Sequence, residues 1–232
     1  MTRTLVAIRK VTARIKVLTG LHIGAGDLEM RIGGIDNPVI RDAEGFPYVP
    51  GSSLKGKMRS LLEWHSGALM GKGPLGTNRE DEWKDPRAQN ILRLFGIGGG
   101  DAKQGAPKAF MPTRLSVADA PLSGQFRDPG RNALVVQGKY EVRIDRIQGT
   151  AAHGSLRQTE RVVPGTAFDF LATIRVFEGD DDLVDLLLKG MALLELDALG
   201  GSGSRGYGKI KFRDVTVDGQ PRTLDDPFAR AA

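Results

Sequence analysis

Five side chains between positions 20 and 42, His22, Asp27, Glu29, Asp36 and Asp42, are of the kinds that acid–base or metal chemistry requires. Imidazole moves protons near neutral pH, and carboxylates hold hard divalent cations. Most such groups in a loop are simply solvated. Asp36 differs in its setting, because Gly33-Gly34-Ile35 precedes it and Asn37-Pro38 follows. Turn-forming residues on both sides can fix its backbone at a loop tip. By residue type alone, a turn-forming aspartate and a catalytic or metal-binding one both remain open.

Two glycine-containing constellations follow. Pro50-Gly51-Ser52-Ser53-Leu54-Lys55-Gly56-Lys57-Met58 nearly spells the phosphate-loop pattern GxxxxGK[ST]. Met58 stands where the magnesium-binding hydroxyl belongs, and residues 54 and 55 read as helix, so an NTPase is the weakest reading. Lys55, Lys57 and Arg59 instead sit near a helix start, where the macrodipole disfavours cations by a few tenths to about 1 kcal/mol each. An anion there reverses that penalty, so these cations with Ser52 and Ser53 form an expected phosphate site; the alternative is a solvated helix face.

The second constellation, Gly200-Gly201-Ser202-Gly203-Ser204-Arg205-Gly206-Tyr207-Gly208-Lys209, contains GxGxxG at Gly201, Gly203 and Gly206. A dinucleotide fingerprint follows a strand and opens a helix; this one follows a helix and enters a strand. Its glycines permit close backbone approach, Arg205 and Lys209 supply charge, and Tyr207 is expected to offer a stacking face, as single-stranded nucleic acid requires. A flexible helix-capping turn is the plainer alternative. His65 and His153 have no carboxylate at ligand or triad spacing and are read as incidental.

The elements that must position these residues come from periodicity. Residues 11–17 alternate apolar and polar, as a strand with one buried face does. A long connection over 20–51 contains expected short strands at 38–40 and 47–49. Ser52 or Ser53 is expected to cap a helix reaching His65, with Leu54, Met58, Leu61 and Leu62 on one face. Residues 67–109 read as a lid-like insertion rather than core, despite the apolar piece at 91–95. Strands are expected at 114–118, 140–147 and 168–177, with a protruding hairpin tip at 148–158. Asp180–Asp182 suit the N-terminus of a helix over 183–199, and a last strand covers 209–217. The order is that of an α+β fold with a βαββαβ ferredoxin-like unit, as in RNA-recognition domains.

The 232 residues, 40% hydrophobic and 26% charged, suffice for one elaborated domain spanning the whole chain. A net charge of +5 favours a polyanionic partner. With no cysteine there are no disulfides, thiolate metal sites or cysteine nucleophiles. No apolar run approaches the ~20 residues that span a bilayer, and the expectation is a soluble cytoplasmic protein with no membrane partner.

Taken together, the motifs resemble the backbone subunit of type III-A CRISPR effector complexes, in the repeat-associated mysterious protein (RAMP) superfamily. The resemblance rests on Thr19-Gly20-Leu21-His22-Ile23-Gly24, Ile35-Asp36-Asn37-Pro38-Val39-Ile40, residues 50–57, Leu94-Phe95-Gly96, Ile144-Asp145-Arg146, Arg157-Gln158-Thr159-Glu160-Arg161, and Leu194-Glu195-Leu196-Asp197 running into the glycine loop. It implies copies stacked head to tail along a guide (CRISPR) RNA, held by the helix-one and glycine-loop surfaces. It places His22, Arg146, Arg157 and Arg161 among the RNA contacts, and a thumb at about 148–157 that kinks the paired target RNA. It implies further partners: a large polymerase-like subunit, a small subunit and other RAMP subunits. Asp36 then becomes the residue required for metal-dependent target-RNA cleavage, with Mg2+ or another divalent ion. Two alternatives belong to the same superfamily: a non-catalytic RNA-binding scaffold, and a metal-independent guide-processing endonuclease.

Overall fold

The computed structural model describes residues 3–26, 35–69, 71–76, 80–97, 107–128 and 135–229. The chain is a mixed α/β structure, with an antiparallel sheet and four α-helices among the described residues. The central strand β1 (Leu5–Val17) is longer than its alternation suggests, because its first residues project past the core with Leu5, Val6 and Ile8 exposed. From Val11 onward, every second side chain (Val11, Ala13, Ile15, Val17) is buried.

Short strands β2 (Tyr48–Val49) and β4 (Ala120–Pro121) pair with each other. The five-stranded sheet runs in the order β3 (Leu115–Val117), β7 (Ala167–Phe177), β1, β8 (Ile210–Val217), β9 (Gln220–Pro221). Register sets Ile15 opposite both Phe168 and Phe212, and Ala13 opposite Phe170. The rings of Phe170 and Phe212 meet edge-on at 5.5 Å. In β8, Asp214 has a left-handed φ of 52° where the pairing with β1 slips between Thr12 and Arg14. This bulge restarts the alternation, so Ile210 and Phe212 before it and Val215 and Val217 after it all face the core.

Helix α1 (Gly51–Ser66) buries Leu54, Met58 and Leu62, one turn apart, against α4 (Val184–Leu196) and β3. Its N-cap is Pro50 and makes no side-chain cap bond, so neither Ser52 nor Ser53 caps it. Helix α4 is apolar on most sides because it is enclosed, with Val184, Leu187, Met191 and Leu194 all buried. Asp182 accepts the Val184 amide at 2.9 Å, as expected of an acidic residue at a helix start.

The expectation for 67–109 needs correction. After α2 (Glu80–Lys84), helix α3 (Pro86–Phe95) places Ile91, Leu92, Leu94 and Phe95 in the same core cluster as the sheet, alongside Ala68, Leu75 and Ala88. The strongly one-sided apolar face of 88–95 has nowhere else to be buried. The strand expected at 140–147 lies earlier: β5 (Val136–Glu141) pairs antiparallel with β6 (Arg157–Val162), and residues 142–156 form the far end of this hairpin.

Candidate nucleic-acid interface and cleavage site

β6 is the spine of the site. Along one edge it pairs with β5. Along the other it receives two loop segments that the sequence places far apart. Leu21 and Val162 exchange both backbone bonds, at 3.0 and 2.7 Å. Asn37 donates its amide to the Gln158 carbonyl at 3.2 Å and accepts from the Glu160 amide at 2.9 Å. The two segments also bond to each other, Ile40 N–H donating to the Ile23 carbonyl at 2.9 Å.

These contacts fix Asp36. Its side chain is exposed, and Oδ2 accepts the Gln158 amide at 3.1 Å. His22, half-buried, donates Nδ1–H to the Glu160 carbonyl at 2.7 Å, a carbonyl being able only to accept. The Glu160 carboxylate, itself buried, accepts the Val39 amide at 2.9 Å and the Arg41 guanidinium at 2.6 Å. One residue of β6 therefore ties down the loops bearing Asp36 and His22. Asp42 is a turn residue, its Oδ1 accepting the Phe46 amide at 2.8 Å. Asp27 and Glu29 lie outside the described residues.

The glycine-rich segment closes the site from the other side. Gly201 N–H donates to the His22 carbonyl at 2.9 Å and Gly208 N–H to the Gly20 carbonyl at 3.1 Å. Two positions tolerate nothing larger than glycine: at Gly200 (φ 76°) a Cβ would overlap the His22 carbonyl, and at Gly208 (φ 73°) the Leu199 carbonyl. Gly203, Ser204 and Arg205 form a single 3₁₀ turn followed by left-handed Gly206. Lys209 Nζ donates to the Leu196 carbonyl at 2.9 Å, at the C-terminal end of α4 where a cation is favoured.

Tyr207 is not a stacking face. It is 1% exposed, its hydroxyl donates to Glu141 at 3.1 Å, and its ring lies within 4.5 Å of Lys139 Nζ and 5.1 Å of the Arg161 guanidinium. The tyrosine instead holds two cations in place. Arg161 passes where a Cβ on Gly20 would collide with it. The hydrogen bond from Lys139, joined by those from Tyr207 and by the charge of Arg205, holds the Glu141 carboxyl below the usual carboxylate range. Arg143, Arg157 and Arg205 line an open cleft with Glu141, Val142 and Ser155. Arg146 is exposed further along the hairpin.

The three cations of helix one do not converge. Lys55 Nζ donates to the Leu115 carbonyl at 3.0 Å; burial, with the nearby charges of Arg59 and Arg175, pushes its pKa down. Lys57 pairs with Asp197 at 2.7 Å, and Arg59 reaches Glu63 and the Leu75 carbonyl, both at 2.7 Å. The anion at this helix start is the protein's own: Asp119 accepts the Gly51 amide at 2.8 Å, and Ser53 and Leu54 donate to the Pro50 carbonyl. Residues 51–57 are helical throughout, so they make no phosphate loop. His65 packs on Phe228 and His153 is exposed.

Lys139, Glu141, Arg143 and Glu160 escaped the sequence reading as individual site residues. The signal that could have found the first three is the alternation of Val136, Tyr140, Val142 and Ile144 with Gln137, Lys139, Glu141 and Arg143, which marks a strand beginning before residue 140 with its polar side chains on one face. Among the described residues no group of three or more His, Asp or Glu side chains could hold a metal. No helix among them is long and apolar enough to cross a membrane.

A family model described as the RAMP superfamily matches residues 14–211. The chain belongs to the RAMP superfamily. Within it, this RAMP chain is 42% identical over 211 residues to a protein of Methanocaldococcus jannaschii named CRISPR system Cms endoribonuclease Csm3, a match covering 90% of this chain and 79% of that one. It is 35% identical over 235 residues to the protein of the same name from Mycobacterium tuberculosis, covering 93% and 91%. Among solved structures it is similar to a chain in the crystal structure of the Csm3–Csm4 subcomplex in the type III-A CRISPR-Cas interference complex. That match has a TM-score of 0.55 and 32% identity, over 92% of this RAMP chain and 80% of that chain.

Proposed function

We propose that this chain is the guide-RNA-binding backbone subunit of a type III CRISPR interference complex and that it cuts the paired target RNA at regular intervals. The observation that carries the cleavage assignment is the setting of Asp36. It is an exposed carboxylate on a loop clamped to β6, the strand whose Glu160 carbonyl also takes the half-buried His22 ring and whose Arg161 packs over Tyr207. The relatives named endoribonuclease support this assignment. The Csm3–Csm4 subcomplex supports assembly with other RAMP subunits, and the proposal extends to head-to-tail copies and to the large and small subunits. Its cellular place on this reading is the cytoplasm.

The strand order β3-β7-β1-β8 with α1 and α4 as crossovers supports a ferredoxin-like core. On this basis 142–156 is the thumb, and part of 67–109 is a lid built on a helix that is itself core.

In the reaction the target 2′-hydroxyl attacks its adjacent phosphorus and the 5′-oxygen leaves, giving a 2′,3′-cyclic phosphate. Asp36 accepts the hydroxyl proton or aligns the nucleophile. The basic cleft grips phosphates on either side, and the β6 tethers keep Asp36 from swinging as RNA docks. Asp36 alone gives a divalent ion one hard oxygen ligand, which fits a site completed by water and phosphate oxygens as Mg2+ commonly uses. When bound, such an ion would stabilise charge developing on the phosphate. A non-catalytic RNA-binding scaffold is the alternative reading. Single-turnover cleavage by complexes assembled with Asp36→Asn decides between them: a loss of about 10² to 10⁴-fold is expected of a proton-handling carboxylate, and an unchanged rate supports the scaffold.

A further inference from the structure

The cleft lined by Arg143, Arg157 and Arg205 contains one acidic side chain, Glu141. A carboxylate there repels the phosphates that the arginines attract, so its place in the lining calls for a partner that donates. Its two oxygens are not equally used. Oε1 accepts from the Tyr207 hydroxyl at 3.1 Å and from Lys139 Nζ at 3.0 Å. Oε2 has only the exposed Arg205 guanidinium among the described residues, at 3.3 Å. Since a carboxylate oxygen takes about two hydrogen bonds, Oε2 retains acceptor capacity that Oε1 has used. The bonds from Lys139 and Tyr207 hold the carboxyl below its usual range, so at neutral pH it accepts and does not donate.

Few groups of a single-stranded RNA can donate to such an oxygen. Phosphates only accept. Base N–H groups change from one nucleotide to the next, whereas every ribonucleotide carries the same 2′-hydroxyl, a donor that DNA lacks. That hydroxyl sits on the ribose carbon next to the one bearing the following phosphate. Arg205 and Glu141, already in contact, therefore match one ribose, the guanidinium taking the phosphate and the carboxylate the adjacent hydroxyl. Ser155, the other acceptor side chain in the lining, is engaged: its Oγ accepts the Arg143 amide at 3.1 Å and donates to the Ala152 carbonyl at 2.6 Å. Glu141 is also pre-positioned, because the Tyr207 that holds it is buried.

Resting on the guide-RNA-binding assignment above, we propose that Glu141 is a specificity-determining residue, its Oε2 accepting a hydrogen bond from a guide 2′-hydroxyl while Arg205 holds the phosphate beside it. This pairing makes the cleft select RNA, where a cleft reading phosphates alone would take RNA and DNA alike.

The test compares the affinity of the full chain for a single-stranded RNA and for the same sequence carrying 2′-fluoro groups, which keep the RNA-like sugar shape but cannot donate. Wild type should favour the RNA by about tenfold, the lower end for a hydrogen bond to a charged group. Glu141→Ala should bring that ratio near one. Any loosening of Lys139 and Arg205 in this variant weakens both probes together, so a merely structural role leaves the ratio where it was. Glu141→Gln keeps the acceptor oxygen and should retain part of the preference. A wild-type ratio of one, or an undiminished ratio in Glu141→Ala, overturns the ribose reading; the RNA-binding assignment then still stands if Arg157→Ala with Arg205→Ala lowers the salt slope. An unchanged slope in that double variant takes the cleft off the RNA path and overturns both. A ratio that collapses in Glu141→Ala for one base sequence and persists for another makes Glu141 a base contact and overturns the proposal.

Discussion

Asp36 owes its position to its neighbours more than to its own bonds. Its single described contact, the Gln158 amide, would orient a carboxylate weakly, but Asn37 beside it is held on both backbone atoms. The cations are organised differently, through the buried ring of Tyr207 and the shared carboxylate of Glu141. Arg157 and Arg205 remain exposed along the cleft and are the residues expected to meet phosphate. Removing both as Arg157→Ala with Arg205→Ala should lower the salt dependence of guide-RNA binding by about 1.4 in log–log slope, two single-strand contacts at about 0.7 each. Lys55→Met should leave that slope unchanged, because Lys55 is spent on the Leu115 carbonyl. Filter binding across a salt series checks both, and an unchanged slope in the arginine variant would take the cleft off the RNA path. The fixed loop that carries Asp36 was legible because its flanking turn residues are local signals. Tyr207 was misjudged because nothing local records that β5 folds over it.

At the scale of elements, β6 is the organiser, and it was the hardest strand to read. Arg157-Gln158-Thr159-Glu160-Arg161 has no apolar alternation, since its role is to bond on both edges rather than to bury a face. Helices α1 and α4 and strands β1, β7 and β8 were visible because their periodicity answers directly to burial. Helix α3 was taken for surface because its apolar run is short and its flanks are rich in glycine and charge, yet that face completes the core. Glu160 tests the organising role of β6. Its carboxylate takes one amide and one guanidinium, so Glu160→Ala should cost about 2 kcal/mol, within the range for hydrogen bonds involving a charged group. The denaturation midpoint should fall, and amide exchange at 37–41 should speed up. An unmoved midpoint with unchanged exchange would show that β6 holds these loops without it.

Across the whole molecule, the start of α4 gathers the chain. Asp180 takes Arg114 from the start of β3, Asp181 takes Arg93 from α3, and Asp182 takes Arg9 from β1. Only the first pair is buried, with the Arg114 side chain fully enclosed and also bonded to the Pro112 and Ala109 carbonyls. Burial pushes the Asp180 carboxyl up, but the hydrogen bonds and charge of Arg114 outweigh it and hold it below its ordinary value. A depressed carboxylate stabilises the fold fully above the ordinary pKa of about 4, and that stability is lost as pH falls toward the folded value. Arg114→Met should cost about 3–5 kcal/mol, as expected when one partner of a buried pair is removed. It should also flatten the loss of stability below pH 4. Thermal melts at pH 7 and pH 3 read both, and a wild-type-like melt in the variant would contradict the account.

The central claim is that this subunit cuts target RNA through Asp36. It is tested most directly by incubating guide-loaded complexes, wild type and Asp36→Ala, with complementary target in Mg2+ and in EDTA, and resolving the fragments. The account predicts regularly spaced fragments from wild type in Mg2+ alone, and none from Asp36→Ala although guide and target remain bound. The same ladder from Asp36→Ala would contradict it and leave the chain a scaffold.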